Sequence, residues 1–562
     1  MQHRLIPKFV TVLQEGYQKK DLIHDLIAGV IVGIVALPMA IAFAIASGVR
    51  PEQGLYTAVI AGFLISLLSG SRVQIGGPTG AFIVIIYGIV QQFGYSGLAV
   101  ATILAGGLLV TMGVAGLGSA IKFVPYPVTI GFTSGIALII YTSQIRDFLG
   151  LQIQTLPAEF IDKWITYFEN IDSVNLYAFG IGLISLLIII FWPRVTHRIP
   201  GPLVAILVTT PLVSLFDLPV ETIGARFGSV PHTLPAPHLP QIDWQIFPKL
   251  ISPAVSIALL GGIESLLSAV VADGMTGRRH RSNMELVAQG IANIVSPIFA
   301  GIPATGAIAR TATNIKNGGK SPLAGIVHAG TLLLIMLFFG SWAELIPLAT
   351  LSAILIVVSY NMGEWHLFIR MFRGPKSDIL VLLSTFWLTV LIDLVVAIQV
   401  GVVLASLLFM RQMSEVTQTG YMKKSLQEEE DREDPLSIRL RDVPEKVEVF
   451  EIYGPFFFGA ADKFKDALNL VKPPPEILIL RMRHVLALDA TGLRALEDVF
   501  KKTRREGTTL VLSGVHSQPL VAMEQYGLIE MIGEENVHGH IDGALNRARQ
   551  LLGLPLVPRN GY

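Results

Sequence analysis

Long apolar runs, separated by short polar breaks, fill the chain from Leu26 to Phe409. A helix that crosses a bilayer needs about 20 predominantly apolar residues. Twelve runs approach that length, and the pattern predicts a membrane helix in each of them. They are Leu26–Ser47, Gly54–Leu68, Leu98–Leu117, Pro127–Tyr141, Leu176–Trp192, Pro202–Leu215, Leu250–Val271, Leu286–Phe299, Leu323–Phe339, Leu345–Val358, Ile379–Ile392 and Val395–Phe409.

Two further apolar segments, Pro78–Gln91 and Thr305–Ile315, are too short to cross a bilayer alone. Each belongs to a break that contains proline and glycine, GGPTGA from Gly76 and IPATGA from Ile302. With these two, we count roughly fourteen membrane elements, of which the short ones are the third and the tenth. The two breaks therefore correspond if the chain consists of two repeats of seven elements.

Such paired, interrupted segments predict the binding site of a transporter. Irregular backbone at membrane depth persists only where protein or a water-filled cavity satisfies it. The N-terminus of a helix presents free N–H groups and a positive dipole end, which attract anions. Two half-helix ends that face each other near the membrane centre would therefore bind an anion. The alternative is that these are two ordinary kinked helices.

Two charged residues fall inside apolar segments, where charge is costly and usually functional or paired. Arg310 lies about one turn after Gly306, and Glu264 is the only acid within the run Leu250–Val271. Arg310 is expected to keep the site positive, to form an ion pair with Glu264, or to do both. Glu264 is expected to exchange a proton or hold a cation, with Ser268 one turn later on the same helix face; a purely structural role is its alternative.

Lysine and arginine residues are distributed unequally between the loops. An even number of spans places both termini on one side, and the positive-inside rule makes that side the cytoplasm. The loops on that side carry Arg72, Lys122, Arg194, Arg198, Arg278, Arg279, Arg281, Lys316, Lys320, Arg370, Arg373 and Lys376. The opposite loops carry Arg50, Arg146, Lys163, Arg226 and Lys249.

The character of the chain changes after Met413, where the charged stretch Lys423–Asp434 predicts an exposed linker. Alternating strand and helix patterns then predict a small soluble α/β domain. The strands are expected at Val447–Ile452, Ile477–Leu480 and Thr509–Leu512, and the helices at Leu493–Arg504 and Ile541–Leu552. We therefore divide the chain into an N-terminal segment (1–25), a transmembrane domain (26–412), a linker (413–436) and the soluble domain (437–554).

Composition excludes several kinds of chemistry. The chain is 52% hydrophobic and only 15% charged, whereas a soluble domain carries about 25% charged residues. It has no cysteine, which excludes disulfides, thiolate metal sites and thiol catalysis. No catalytic triad, metal cluster or phosphate-binding glycine loop stands out, so we expect a transporter and not an enzyme, with no cofactor and no metal.

Several of these segments resemble the SulP/SLC26 anion transporters, the sulfate permease family. The resemblance rests on LPMAIAFA from Leu37, the GGPTGA break, GGIESLLSA from Gly261, and Ala307 to Arg310 with the following Asn314 and Gly318 to Lys320. The run LDATGL from Leu488 resembles the signature loop of STAS domains. The likeness covers nearly the full length. It is greatest to bacterial C4-dicarboxylic acid transporters of the family, including DGMTG from Asp273.

The family resemblance implies an all-α membrane fold of about fourteen segments in a seven-plus-seven inverted repeat with core and gate domains. It also implies a C-terminal α/β STAS domain and a homodimer. The substrate site implied by the resemblance consists of Phe43, Thr79, Gly80, Ala81, Thr305, Gly306, Ala307 and Arg310. Glu264, with Ser268, matches a position that is Asp in a sodium-coupled bicarbonate member, and Glu there suggests protons rather than sodium. Thr491 is a candidate for phosphorylation, although a structural or regulatory role is favoured for the whole STAS domain.

These observations predict a secondary active transporter in a bacterial inner membrane, in contact with membrane lipid and with no nucleic-acid partner. It is expected to couple proton entry to uptake of C4-dicarboxylates (succinate, fumarate or aspartate) or sulfate by alternating access. The alternatives are transport of bicarbonate or another inorganic anion, an uncoupled exchanger or channel, a uracil- or xanthine-type permease, and a membrane-anchored signalling protein.

Overall fold

A computed structural model of the chain gives its architecture. It describes residues 5–557 except 120–124, 154–155, 158, 197–198, 230–232, 242, 393, 417, 422–440, 455 and 457–473. The chain forms two compact units, Met1–Val403 and Leu404–Tyr562. The predicted linker lies mostly outside the described residues, and the domain boundaries drawn from the sequence stay predictions.

The first unit is helical apart from two short strands. Its helices are α1 (Lys8–Glu15), α2 (Lys19–Ala46), α3 (Pro51–Leu68), α4 (Phe82–Val114), α5 (Tyr126–Leu149), α6 (Phe160–Glu169), α7 (Leu176–Phe191), α8 (Gly201–Leu215), α9 (Ile223–Phe227), α10 (Phe247–Thr276), α11 (Ser282–Val295), α12 (Ile308–Lys316), α13 (Leu323–Ala343), α14 (Leu348–Met362), α15 (Trp365–Met371) and α16 (Lys376–Leu391). Helix α17 (Leu394–Val416) begins in this unit and continues into the second. The strands are β1 (Gly76–Gly77) and β2 (Thr305–Gly306).

Nine helices in the described part of the chain are long and apolar enough to cross a membrane. Helix α4 is interrupted at Gly94, whose φ of 66° and ψ of −177° are not helical. A shorter helix therefore precedes a full-length one, as the pattern around Pro78–Gln91 predicts. Helix α12 also follows the predicted break and is short.

Packing sorts the helices of this unit into two groups. Helices α2, α3, α4, α10, α11, α12 and α13 pack mainly on one another, and we call them the core helices. Helices α5, α7, α8, α14 and α16 form a second group, which we call the gate helices. Small residues allow close approach within each group: Gly106 and Gly290 face each other between α4 and α11.

The second unit contains a five-stranded sheet in the order β3-β4-β5-β6-β7. Strands β4 (Val447–Tyr453), β5 (Ile477–His484), β6 (Thr509–Ser513) and β7 (Val537–His538) are parallel, and β3 (Gln418–Tyr421) is antiparallel to β4. Helices Ala490–Arg505, Ser517–Gln525, Leu528–Ile532 and Ile541–Leu551 complete it. Alternate residues of the strands enter two apolar clusters, one built on Phe450 and Leu480 and the other on Val449 and Ile479.

The predicted elements of the soluble domain agree with the structure to within a few residues. The hydrophobic pattern did not reveal α1, α6, α9 and α15, because these helices are short and partly polar. It also placed the start of the first membrane helix too late. Helix α2 begins at Lys19, and the charged side chains in its first turns hid this start from a pattern based on apolar runs.

Candidate functional site

Two strands of two residues each form the centre of the candidate site. Strand β1 pairs antiparallel with β2, so that Gly76 lies opposite Gly306 and Gly77 opposite Thr305. The Ala307 N–H extends the pairing, because it donates to the Ile75 carbonyl at 2.8 Å. The pairing satisfies irregular backbone inside the membrane unit and joins two breaks that are far apart in sequence.

A short helix starts directly after each strand. Helix α4 begins at Phe82 behind Thr79, Gly80 and Ala81, and α12 begins at Ile308 behind Ala307. The first N–H groups of a helix have no partner within it. The β1–β2 pairing therefore brings two positive helix ends to one place, which is an arrangement that attracts an anion.

Glu264 lies midway along α10 and contacts the first of these helix ends. Thr79 Oγ1 donates to Glu264 Oε2 at 2.8 Å. Glu264 is partly exposed, whereas Ser265 and Ser268 beside it are buried. The acid therefore borders an accessible space at the N-terminus of α4.

Ser268 lies one turn beyond Glu264 and faces α12. Its Oγ donates to Thr311 Oγ1 at 3.3 Å, and the same Thr311 oxygen accepts from the Ile75 N–H at 3.0 Å. Thr305 is held similarly, because its Oγ1 donates to the Gly261 carbonyl at 2.8 Å. Helix α10 thus supports both breaks through hydroxyl groups.

Arg310 is buried in the first turn of α12, and its guanidinium donates to the Pro78 carbonyl. It therefore links the second helix to the break in front of the first. Among the described residues it forms no ion pair with Glu264, so of the roles left open for Arg310 the structure does not contain the ion pair. The reason is geometric: Glu264 is bonded to Thr79, while Arg310 reaches the backbone at Pro78.

Phe43 and two gate residues surround Gly80. A methyl group added to Gly80 would lie 3.5 Å from Phe43 Cε1, 3.5 Å from Ile140 Cδ1 and 3.7 Å from Met362 Sδ. Phe43 belongs to α2, while Ile140 and Met362 belong to the gate helices α5 and α14. The start of α4 is therefore covered by apolar gate side chains, whereas Ile308 at the start of α12 is 40% exposed.

A buried acid behind the site, Glu285 of α11, was not singled out by the sequence. It is fully buried and accepts four hydrogen bonds, from Ser69 Oγ (2.5 Å), the Gly70 N–H (3.0 Å), Ser265 Oγ (2.8 Å) and Gln289 Nε2 (2.8 Å). No cation of the described chain forms an ion pair with it. Glu285 therefore acts as an acceptor that ties α3, α10 and α11 together.

Gln74 connects this acceptor to the site. Its Nε2 donates to Ser265 Oγ at 2.9 Å, and a Cβ built on Gly306 would lie 1.6 Å from that nitrogen. Gly306 is therefore glycine because the amide of Gln74 occupies the space of a side chain. A glutamine just before the GGPTGA break was the available signal, but its partner is 191 residues away.

The structure thus brings together every residue predicted for the substrate and coupling sites. Phe43, Thr79, Gly80, Ala81, Thr305, Gly306, Ala307, Arg310, Glu264 and Ser268 lie around the β1–β2 pair. Ile140, Met362, Gln74 and Glu285 were missed. Groups of three or more His, Cys, Asp or Glu side chains suited to a metal ion do not occur among the described residues.

Thr491 lies in the second unit, in the exposed first turn of helix Ala490–Arg505. Asp489 caps this helix, because its Oδ1 accepts from the Gly492 N–H at 2.7 Å. The hydroxyl is accessible, and its modification stays a prediction. A phosphate there would sit at a helix N-terminus, although the adjacent Asp489 carboxylate would oppose it.

Comparison with known proteins matches both units. The model of the sulfate permease family covers residues 22–385, and that of the STAS domain covers residues 440–544. The putative sulfate transporter YvdB of Bacillus subtilis (strain 168) is 43% identical over 499 residues, which span 88% of this chain and 92% of the relative. The bicarbonate transporter BicA of Synechocystis sp. is 31% identical over 517 residues, which span 89% of each chain.

A solved structure also matches. The murine Solute Carrier 26 family member A9 anion transporter in the inward-facing state superposes with a TM-score of 0.86 at 19% identity, covering 97% of this chain and 94% of that one. At this identity the likeness shows the fold, a helical transporter unit followed by a STAS domain.

Proposed function

Because the chain belongs to the sulfate permease family and is an anion transporter, not an enzyme, we propose that it takes up sulfate or a C4-dicarboxylate together with protons, by alternating access. The observation that carries the proposal is the β1–β2 pair. It brings the N-termini of α4 and α12 together, with Arg310 beside them and Glu264 in contact with Thr79.

Sulfate has the support of a relative, since the protein 43% identical to this chain is named a putative sulfate transporter. The C4-dicarboxylate preference rests on the resemblance of the DGMTG run from Asp273. Both substrates carry two negative charges with oxygen atoms that accept several hydrogen bonds. Two helix ends and a guanidinium suit such a dianion better than a single helix end does.

Glu264 supplies a physical reason for coupling. While its carboxylate is charged, it opposes an anion at the neighbouring helix end and holds the Thr79 hydroxyl as its own donor. Protonation removes the repulsion and frees the Thr79 hydroxyl to donate to the anion. Proton and anion therefore bind more tightly together than apart, which is the condition for symport.

Alternating access follows from the two helix groups. The site lies on core helices, and its cover over Gly80 comes from the gate residues Ile140 and Met362. Exposure of Ile308 indicates access from the α12 end of the site. By the positive-inside rule we assign this end to the cytoplasm, in a bacterial inner membrane with both termini cytoplasmic. Assembly as a homodimer is part of the same proposal.

The decisive experiment is uptake into proteoliposomes at two external pH values. Radiolabelled sulfate and succinate are offered, with fumarate, bicarbonate and chloride as competitors. We expect accumulation against a gradient at the lower external pH, and loss of that accumulation in Glu264→Gln while gradient-driven exchange persists. The variant Glu364→Gln, altered outside the site, serves as the control.

A bicarbonate transporter is the second candidate, because the named bicarbonate relative is 31% identical over 89% of the chain. Competition by bicarbonate alone would favour it over sulfate or dicarboxylate. Flux that ignores the proton gradient in both wild type and Glu264→Gln would instead identify an uncoupled exchanger or channel and contradict symport.

A further inference from the structure

Helix α6 exposes apolar side chains and buries a lysine, whereas a helix at a protein surface usually does the opposite. It lies between α5 and α7 and is not among the membrane-spanning helices. Its apolar residues Ile161, Ile165 and Phe168 are exposed, whereas Lys163 and Tyr167 are buried. An exposed apolar face suits a helix that lies at the membrane surface. The same placement turns Lys163 inward, toward the protein.

Lys163 is a buried cation without a carboxylate partner in the described chain. It is 5% exposed, and its Nζ lies 5.6 Å from the centroid of the Tyr87 ring. Burial lowers the pKa of Lys163 to about 8, so the side chain remains mostly charged at pH 7. A contact with one aromatic ring is worth only about 0.5–2 kcal/mol, which is less than the cost of burying an unpaired charge.

The ion pairs formed by Arg146 and Arg226 do not include Lys163. Arg146, in the last turn of α5, has a buried Nε without a hydrogen-bond partner. Asp147 is shared, because Arg226 lies 2.9 Å from its Oδ1 while Arg146 lies at 3.9 Å. Arg226 also pairs with Glu221. Asp147 and Glu221 are therefore held by Arg146 and Arg226, and neither carboxylate forms an ion pair with Lys163.

Lys163 also lies where core and gate meet. Tyr87 belongs to α4, about 7–8 Å along the helix axis from Phe82 at its start. Its hydroxyl donates to the Leu156 carbonyl, at 2.8 Å, in the segment between α5 and α6. Helix α6 packs on the gate helix α5, where Tyr167 donates to the Thr142 carbonyl at 2.9 Å. Two contacts of Tyr87 thus join a core helix to the gate side.

From this geometry we propose that Lys163 is an anion-binding residue at the α6 mouth of the transporter. When core and gate separate, Lys163 leaves the Tyr87 ring and binds the entering small anion before it reaches the N-terminus of α4. When they close, the ring covers the ammonium again and the anion moves on. The inference rests on the proposed anion transport and adds a second site to it, outside the β1–β2 centre.

The test measures KM separately from the two membrane sides. Right-side-out and inside-out vesicles from cells that express the full chain are given radiolabelled sulfate. We expect Lys163→Gln to raise KM on the order of tenfold from the α6 side, equivalent to about 1.4 kcal/mol, and to leave KM from the opposite side unchanged. Lys163→Arg should stay near wild type because it keeps the charge.

The matched control is Lys249→Gln, which removes an exposed lysine from the start of α10. It should leave both KM values unchanged. Equal KM values in wild type and Lys163→Gln from the α6 side would overturn the inference. An equal increase in KM from both sides that Lys163→Arg does not reverse would also overturn it. Such a result would indicate that the contact of Lys163 is purely structural.

Trp164, next to Lys163, provides a readout that needs no transport. Iodide quenching of Trp164 fluorescence is taken as the difference between purified wild-type protein and Trp164→Phe. Lys163→Gln should lower this quenching at least about twofold, while quenching by neutral acrylamide should not change. If wild type carries none of the tested anions yet shows this difference, the proposed function falls and the anion site stands. If the wild type does transport sulfate, the KM values measured separately from the two membrane sides decide whether the inference holds.

Discussion

At the scale of single residues, Glu285 is the most heavily bonded side chain behind the site. Its two oxygens accept from Ser69, Gly70, Ser265 and Gln289, and Ser265 in turn accepts from Gln74 beside Gly306. A buried carboxylate without a cation is stable only when donors satisfy it. The hydrogen bonds, more than the charge, therefore explain its presence.

The first prediction separates these two roles. Glu285→Ala leaves several buried donors unsatisfied, each at a cost of about 1–3 kcal/mol. Glu285→Gln should cost much less, because the free Oε1 of Gln289 can turn to accept from the new amide. Thermal unfolding in detergent should therefore show a large drop for Ala and a small one for Gln. Equal drops would indicate that the charge itself is required.

At the scale of elements, the β1–β2 pair depends on glycine. Gly77 has a φ of +146°, and a Cβ there would lie 2.7 Å from Arg310 Nη1. A side chain would both strain the backbone and displace the guanidinium from the Pro78 carbonyl. The pair is therefore the point at which the two half-helices are positioned relative to each other.

The second prediction uses this dependence. Gly77→Ala should lower anion uptake by at least about tenfold, since loss of one or two positioned contacts at a site has effects of this size. Gly88→Ala, in the helix that follows, is the control, because a Cβ there meets nothing within 4 Å. Uptake and detergent stability of both variants are measured together. Uptake close to wild type in Gly77→Ala would show that the pairing tolerates a side chain.

At the scale of the whole molecule, the chain forms two units with separate apolar cores. One core is built on residues such as Phe82 and Ile136, and the other on Phe450 and Phe456. The candidate site lies entirely in the first unit. We therefore expect transport to depend on that unit, and a structural or regulatory role for the STAS domain stays a prediction.

The third prediction follows from that division. Truncation after Met413 should leave uptake per inserted molecule within about twofold of the full chain, because each unit has its own core. Surface biotinylation or a fluorescent tag corrects for the amount in the membrane. Complete loss of uptake by the truncated chain at normal insertion would instead make the STAS domain part of the transport cycle. If the full chain also moved no anion, the signalling alternative would be favoured.

The sequence by itself determined the order and kind of the elements. Long apolar runs predict membrane helices, and the alternating patterns after Val447 predict an α/β domain. The reason is that the local spacing of apolar residues decides which type of element can bury them on one face. The breaks GGPTGA and IPATGA marked the two half-helices. The family resemblance drawn from such motifs is confirmed by the family match over residues 22–385.

Only the tertiary structure decided which residues meet. The sequence left an ion pair between Arg310 and Glu264 open, whereas Arg310 bonds to Pro78 and Glu264 to Thr79. Ile140 and Met362 cover Gly80, and Glu285 binds Ser69 across 216 residues. No local pattern contains such contacts, because they depend on how the core and gate helices pack. Periodicity specifies the face that a residue occupies, and packing specifies its partner.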